Sequence, residues 1–107
     1  MSLDKNGETA LYQASALGNV KVVKLLLSYN ANLDIYNKDK VTPLLISSYN
    51  GHVGAVKALL GKCKNVNYQD SLCKTALSFA ALEGHPHIVQ LLLKKGADVN
   101  LTDKVCI

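Results

Sequence analysis

The chain has 107 residues, of which 49% are hydrophobic and 19% charged. That balance supports one packed domain and excludes a globally disordered chain. The formal charge is +4, and all 12 basic residues are lysine. Without arginine the bidentate fork that reads phosphates and base edges is missing, which argues against nucleic-acid recognition. The lysines are dispersed among Asp and Glu, the pattern of a solvated surface.

The opening Met1-Ser2-Leu3-Asp4 has neither the basic region nor the apolar core of a signal peptide. No apolar run approaches the ~18 residues of a membrane span. Cys63, Cys73 and Cys106 are odd in number and lack CxxC spacing. They read as reduced thiols in an intracellular, cytoplasmic compartment.

Along the chain, Thr9 is placed to N-cap a helix over Ala10–Leu17, its hydroxyl accepting a backbone N–H. Leu11 faces the core. The small pair Ala14-Ser15 lets another helix approach closely, and Gly18 accepts the left-handed backbone of a helix stop. A second helix follows with Val22, Val23, Leu26 and Leu27 on one stripe at helical period. It ends at Asn30, which tolerates positive φ. Asn32-Leu33-Asp34 then alternates polar and apolar, as a short strand or turn arm does.

The same plan returns at Thr42. The first helix is Pro43–Asn50, with Pro at a position where a missing N–H is harmless. Leu44 faces inward, Ser47-Ser48 is the small pair and Gly51 is the stop. The second stripe is Ala55, Val56, Leu59 and Leu60, and the arm is Asn65-Val66-Asn67. It returns again at Thr75, with a first helix over Ala76–Glu83, Leu77, Ala80-Ala81 and Gly84. The stripe is then Ile88, Val89, Leu92 and Leu93, the stop Gly96 and the arm Asp98-Val99-Asn100. Pro86 falls in the first turn of that last helix, where it is tolerated.

The three Thr positions are separated by 42−9 = 33 and 75−42 = 33 residues. A fixed period of this length means stacked supersecondary units, none of which can bury its helix stripe alone. The units run Asp4–Tyr36, Asn37–Gln69 and Asp70–Thr102, and Asp103–Ile107 begins a fourth. Residues 1–107 form one domain, expected to be a fragment of a longer array. The middle unit breaks the pattern. Cys63 stands where Asn30 and Gly96 stand, so either it is strained or the helix stops early at Gly61, the reading preferred here. Lys64 replaces Ala31 and Ala97, so this unit is expected to open first.

Thr42-Pro43-Leu44, Gly51-His52, Val89-x-Leu91-Leu92-Leu93 and Gly96-Ala97-Asp98-Val99-Asn100 together resemble the ankyrin repeat. The likeness covers Asp4 to Ile107 three times in register. It implies an all-α solenoid of stacked helix-turn-helix units joined by hairpin-like loops. Some positions depart from the family pattern. The His that follows Thr-Pro-Leu and ties the turn to the Thr hydroxyl is Tyr12, Leu45 and Ser78 here. The Gly two residues before the Thr survives only as Gly7, with Lys40 and Cys73 replacing it later. Gln13 holds the position of Ile46 and Phe79, the side chain that faces the preceding unit, a sign that the first unit lies near a natural start.

No catalytic constellation is present: no Ser/His/Asp set, P-loop or Gly-rich nucleotide loop. His52 and His85 sit at the family's structural Gly-His step. His85-x-His87 has no Cys or carboxylate at ligand spacing, so no metal or cofactor is expected. Cys73 and Cys106 are one period apart. At about 10 Å, a helix-packing distance, they are too far apart for a disulfide.

The resemblance therefore implies a non-enzymatic module that binds a protein or peptide as a monomer, without nucleic acid and without membrane insertion. Its contact positions are the turn tips and the outer face of the first helices. Carried over by position, these are Lys5 and Glu8; Tyr36, Lys38, Asp39 and Val41; Leu72 and Lys74; and, on the helices, Leu17, Tyr49, Asn50, Leu82 and Glu83. Tyr36 and Tyr49 are balanced between binding a partner and packing within the array, while packing is the favoured reading for Leu82. The alternative role is a structural or regulatory segment that packs against another domain of a larger channel, enzyme or scaffold protein.

Overall fold

The computed structural model describes residues 8–100. Among them six helices appear in chain order: α1 (Ala10–Leu17), α2 (Val20–Ser28), α3 (Pro43–Asn50), α4 (Val53–Leu60), α5 (Ala76–Leu82) and α6 (Pro86–Lys94). No strand occurs among the described residues, so the arms after each second helix are turns rather than strand pieces. The structure is all-α. Helices α1, α3 and α5 pack side by side in one layer and α2, α4 and α6 in a second.

Local chemistry explains each start and stop. The hydroxyls of Thr9, Thr42 and Thr75 accept from the backbone N–H of Tyr12, Leu45 and Ser78 at 3.2, 3.4 and 3.1 Å. Each thus satisfies an orphan donor of the first turn. Gly18 and Gly51 close α1 and α3 at φ 73° and 81°. Helix α5 ends one residue earlier than its sequence suggests, with Glu83 as cap and Gly84 beyond it. In the middle unit α4 does stop early. Gly61 caps it in right-handed geometry, and Cys63 is absent from the described residues with positive φ.

The second-helix stripe resolves into two faces. Ala55, Leu59, Ile88 and Leu92 face back toward the preceding unit and are fully buried. Val22 occupies the same step in the first unit, has no described neighbour on that side, and is 38% exposed. At the other steps of the stripe Val23, Leu27, Val56 and Leu60 are buried, but Leu93 in the last described unit is 41% exposed. The stripe predicted from period alone is therefore half-covered in the end units, because a stacked unit shields only the side that has a neighbour. The same geometry argues against the expectation that the middle unit opens first. Helix α4 is flanked on both sides and is the best buried of the second helices.

The missing family histidine is replaced three different ways. Tyr12 is buried, and its hydroxyl accepts from Asn37 Nδ2 in the next unit at 3.3 Å. Leu45 is simply core, 1% exposed. Ser78 closes a capping box, its hydroxyl accepting from Thr75 N at 2.8 Å. Lys40 and Cys73 keep the left-handed backbone of the absent glycine, at φ 61° and 66°. Residues with a Cβ hold that conformation at a cost of about 1 kcal/mol each.

The small pairs are where the layers press together. Ser15, Ser47 and Ser48 are fully buried. Ser47 donates to Leu44 O at 3.1 Å, but Ser15 Oγ and Ser48 Oγ have no hydrogen-bond partner. A buried hydroxyl left unsatisfied costs about 1–3 kcal/mol. Ser48→Ala removes that cost without changing the backbone, and the third unit already carries Ala81 at this step. We expect Ser48→Ala to stabilise the protein by about 1 kcal/mol in urea titration; a lowered midpoint would show that the hydroxyl has a partner.

Candidate protein-binding surface

The turn tips are set by side chains that imitate backbone. Asn37 Oδ1 accepts from Asp39 N at 2.9 Å and Val41 N at 3.0 Å. Asp70 Oδ1 repeats this with Leu72 N and Lys74 N, both at 2.9 Å. Asn and Asp do this because a carbonyl or carboxylate oxygen on a short stem reaches the amides two and four residues ahead. Backbone bonds Asn37 N to Val41 O (3.1 Å) and Asp70 N to Lys74 O (3.0 Å) close each turn.

The tips are then joined to one another. Ser71 N donates to Asp39 O at 3.0 Å, and the Tyr68 hydroxyl donates to Lys40 O at 2.7 Å. On the helix side, Asn50 Nδ2 donates to Ala16 O at 2.9 Å. His52 Nε2 lies 3.0 Å from the same carbonyl, and His85 Nε2 lies 3.1 Å from Tyr49 O. These bonds hold the first-helix layer and the tips as one rigid surface.

Contact between tips also corrects the cysteine reading. Cys73 is disulfide-bonded and not a reduced thiol. The ~10 Å spacing belongs to helix axes. Cys73 sits on a turn, and neighbouring turns approach to hydrogen-bond distance. Cys106 lies outside the described residues. Cys63 is a free, half-buried thiol beside Leu33, Val66 and Tyr68. Burial pushes its pKa up, against weaker lowering by a backbone hydrogen bond at Asn65 and by Lys95. Thiolate is the reacting form. Cys63 is therefore expected to alkylate with iodoacetamide several-fold more slowly at pH 8 in the folded protein than in urea. Equal rates would contradict its burial.

The predicted contact residues divide into those committed to the fold and those left to solvent. Tyr49 packs its ring edge-to-face on Phe79, centroids 5.4 Å apart at 87°, though it stays 42% exposed. Asn50 bridges α3 to α1, and Val41 is half-buried against the core. Glu8 and Lys74 are half-buried at the tips, whereas Lys38, Asp39 and Glu83 are exposed. Leu17 and Leu82 are exposed at 79% and 69%, Leu72 at 69% and Tyr36 at 49%. Leu82 therefore does not pack within the array, contrary to expectation. Lys5 lies outside the described residues. Tyr29, exposed at the end of α2, belongs to neither the tips nor the first helices to which the resemblance points.

Among the described residues no group of three or more His, Cys, Asp or Glu side chains comes together. No described helix is long and apolar enough to cross a membrane.

The family model described as "Ankyrin repeats (3 copies)" matches residues 29–103, and that for a single "Ankyrin repeat" matches residues 6–38. The chain belongs to the ankyrin repeat family. It is also similar to the Ankyrin repeat and KH domain-containing protein mask-1 of Caenorhabditis elegans, at 49% identity over 43 residues. That alignment covers 40% of this chain and 2% of the relative's length. Ankyrin repeats are in general protein–protein interaction modules, which fits a rigid ankyrin surface carrying solvent-exposed apolar side chains.

Proposed function

We propose that this ankyrin domain binds a protein or peptide on the face formed by its turn tips and first helices. The observation that carries this reading is the exposure of Leu17, Tyr36, Leu72 and Leu82 on a layer whose backbone is tied together unit by unit. Large apolar side chains exposed on a preorganised surface are the usual anchors of a partner. Binding needs little backbone change, and the domain acts as a non-catalytic monomer. The second reading is that this face meets another domain of a longer protein. The small share of the mask-1 relative that the chain spans favours keeping it.

The fold dictates which variants test this. Tyr49→Ala removes an aromatic pair and is expected to lower stability by about 1 kcal/mol, so it confounds binding with folding. Leu17→Glu with Leu82→Glu changes exposed side chains only. We expect the pair to keep the thermal midpoint, within about 0.5 kcal/mol, and to lose the proteins that wild type retains from lysate. Retention of the same proteins at wild-type levels would refute binding on this face.

A further inference from the structure

The opposite layer carries a second surface. Between α4 and α6 lies a groove of about 670 Å³. That size falls within the usual range of ligand-binding clefts. Its apolar wall is Val53, Leu91 and Leu93, and its polar rim is Lys57, Lys94 and His87. The sequence distinguishes this seam from its neighbour. Between α2 and α4, Gly54 lets Val20 approach so closely that a Cβ at residue 54 would meet Val20 Cγ2 at 2.6 Å. One period later the same step is His87, whose ring lines the opening between α4 and α6.

Charge on this layer is one-sided. Helices α2, α4 and α6 contain Lys21, Lys24, Lys57 and Lys94 and not one Asp or Glu. The carboxylates of the described residues lie on tips, turns and the end of α5. Lys57 and Lys94 flank the groove without an opposing carboxylate in its lining. An occupant must bring negative charge for the rim and an apolar side chain for the wall. Nucleic acid supplies only the first, and this chain has no arginine to grip phosphate in two-point fashion. A flat anionic bilayer does not enter a groove.

We propose that the α4–α6 groove docks an acidic peptide segment, with an apolar residue against Val53, Leu91 and Leu93 and carboxylates beside Lys57 and Lys94. This surface is distinct from the tip-and-first-helix face, and its partner binds independently of that face.

The test uses the full chain and a labelled peptide of about 15 residues, built of glutamate with leucines at helical spacing, followed by fluorescence anisotropy. Wild type is expected to bind. Lys57→Glu with Lys94→Glu is expected to weaken binding by about tenfold or more, and a lysine-for-glutamate peptide to bind this variant better than wild type. Replacing the leucines of the peptide by serine removes binding, while Leu17→Glu with Leu82→Glu leaves it unchanged. Both lysines are exposed, so the reversal keeps the fold, which circular dichroism verifies. No binding by wild type, equal binding by the reversed variant, or equal binding of the serine peptide would each overturn the proposal. So would capture of a single-stranded oligonucleotide or phosphatidylserine vesicles in preference to the peptide.

Discussion

Gly51→Ala is expected to destabilise the protein by about 2–3 kcal/mol, read from urea titration, while Gly84→Ala costs only about 1 kcal/mol. Both glycines sit at positive φ, at 81° and 73°, so an alanine strains the backbone equally at either. The difference is what lies above them. A Cβ on Gly51 would meet His85 Cε1 at 2.6 Å and Nε2 at 2.9 Å, whereas no described residue stands within 4 Å of one on Gly84. To make room, His85 must leave Tyr49 O, which it now reaches at 3.1 Å, and one bond between α3 and the next unit is lost. Gly18 has the same relation to His52. A double-mutant cycle with His85→Ala checks the cause. In the His85→Ala background the Gly51→Ala cost should fall to that of Gly84→Ala. Equal costs for Gly51→Ala and Gly84→Ala in the wild-type background would refute the account.

Leu59→Ala is expected to cost about 3 kcal/mol or more, and to unfold a large share of the molecules at 37 °C. Leu59 is fully buried on α4, within the cluster that joins α2, α4 and α6. Helices here are short and isolated units do not fold, so a cavity in the middle unit weakens both interfaces it shares. By the same reasoning, hydrogen exchange should find the amides of α4 the best protected in the wild type, ahead of α2 and α6. Fastest exchange in α4 would restore the reading in which Cys63 and Lys64 make this unit the weak point. That reading weighed the departures of the middle unit one by one. Position within the stack is expected to outweigh them: α4 ends at Gly61 without a positive φ at Cys63, and it has neighbours on both sides.

The candidate binding face was legible in part. Glycine, threonine and leucine at fixed steps mark the tips and the first helices, so Leu17, Tyr36, Leu72 and Leu82 could be located from the period. What each side chain touches could not. Tyr49 and Leu82 occupy the same step one period apart. Tyr49 leans on Phe79 of the next unit, while Leu82 is left in solvent. Likewise the lysines read as dispersed along the chain. Only with the helices in place do Lys21, Lys24, Lys57 and Lys94 gather on a layer that holds no carboxylate.

The sequence by itself determined the repeat, the six helices and nearly all of their ends. These depend on interactions a few residues apart: a threonine hydroxyl to an amide three residues on, a glycine at positive φ, a stripe at helical period. Tertiary structure alone decided which half of each stripe is covered, which tips touch, that Cys73 is disulfide-bonded, and that a groove lies at α4–α6 while Val20 sits against Gly54 at α2–α4. Each of those outcomes rests on distances between residues about one period apart. A periodic pattern says that units stack, but the spacing at any one step follows from the side chains that meet there, Gly54 against Val20 in one seam and His87 beside Val53 in the next.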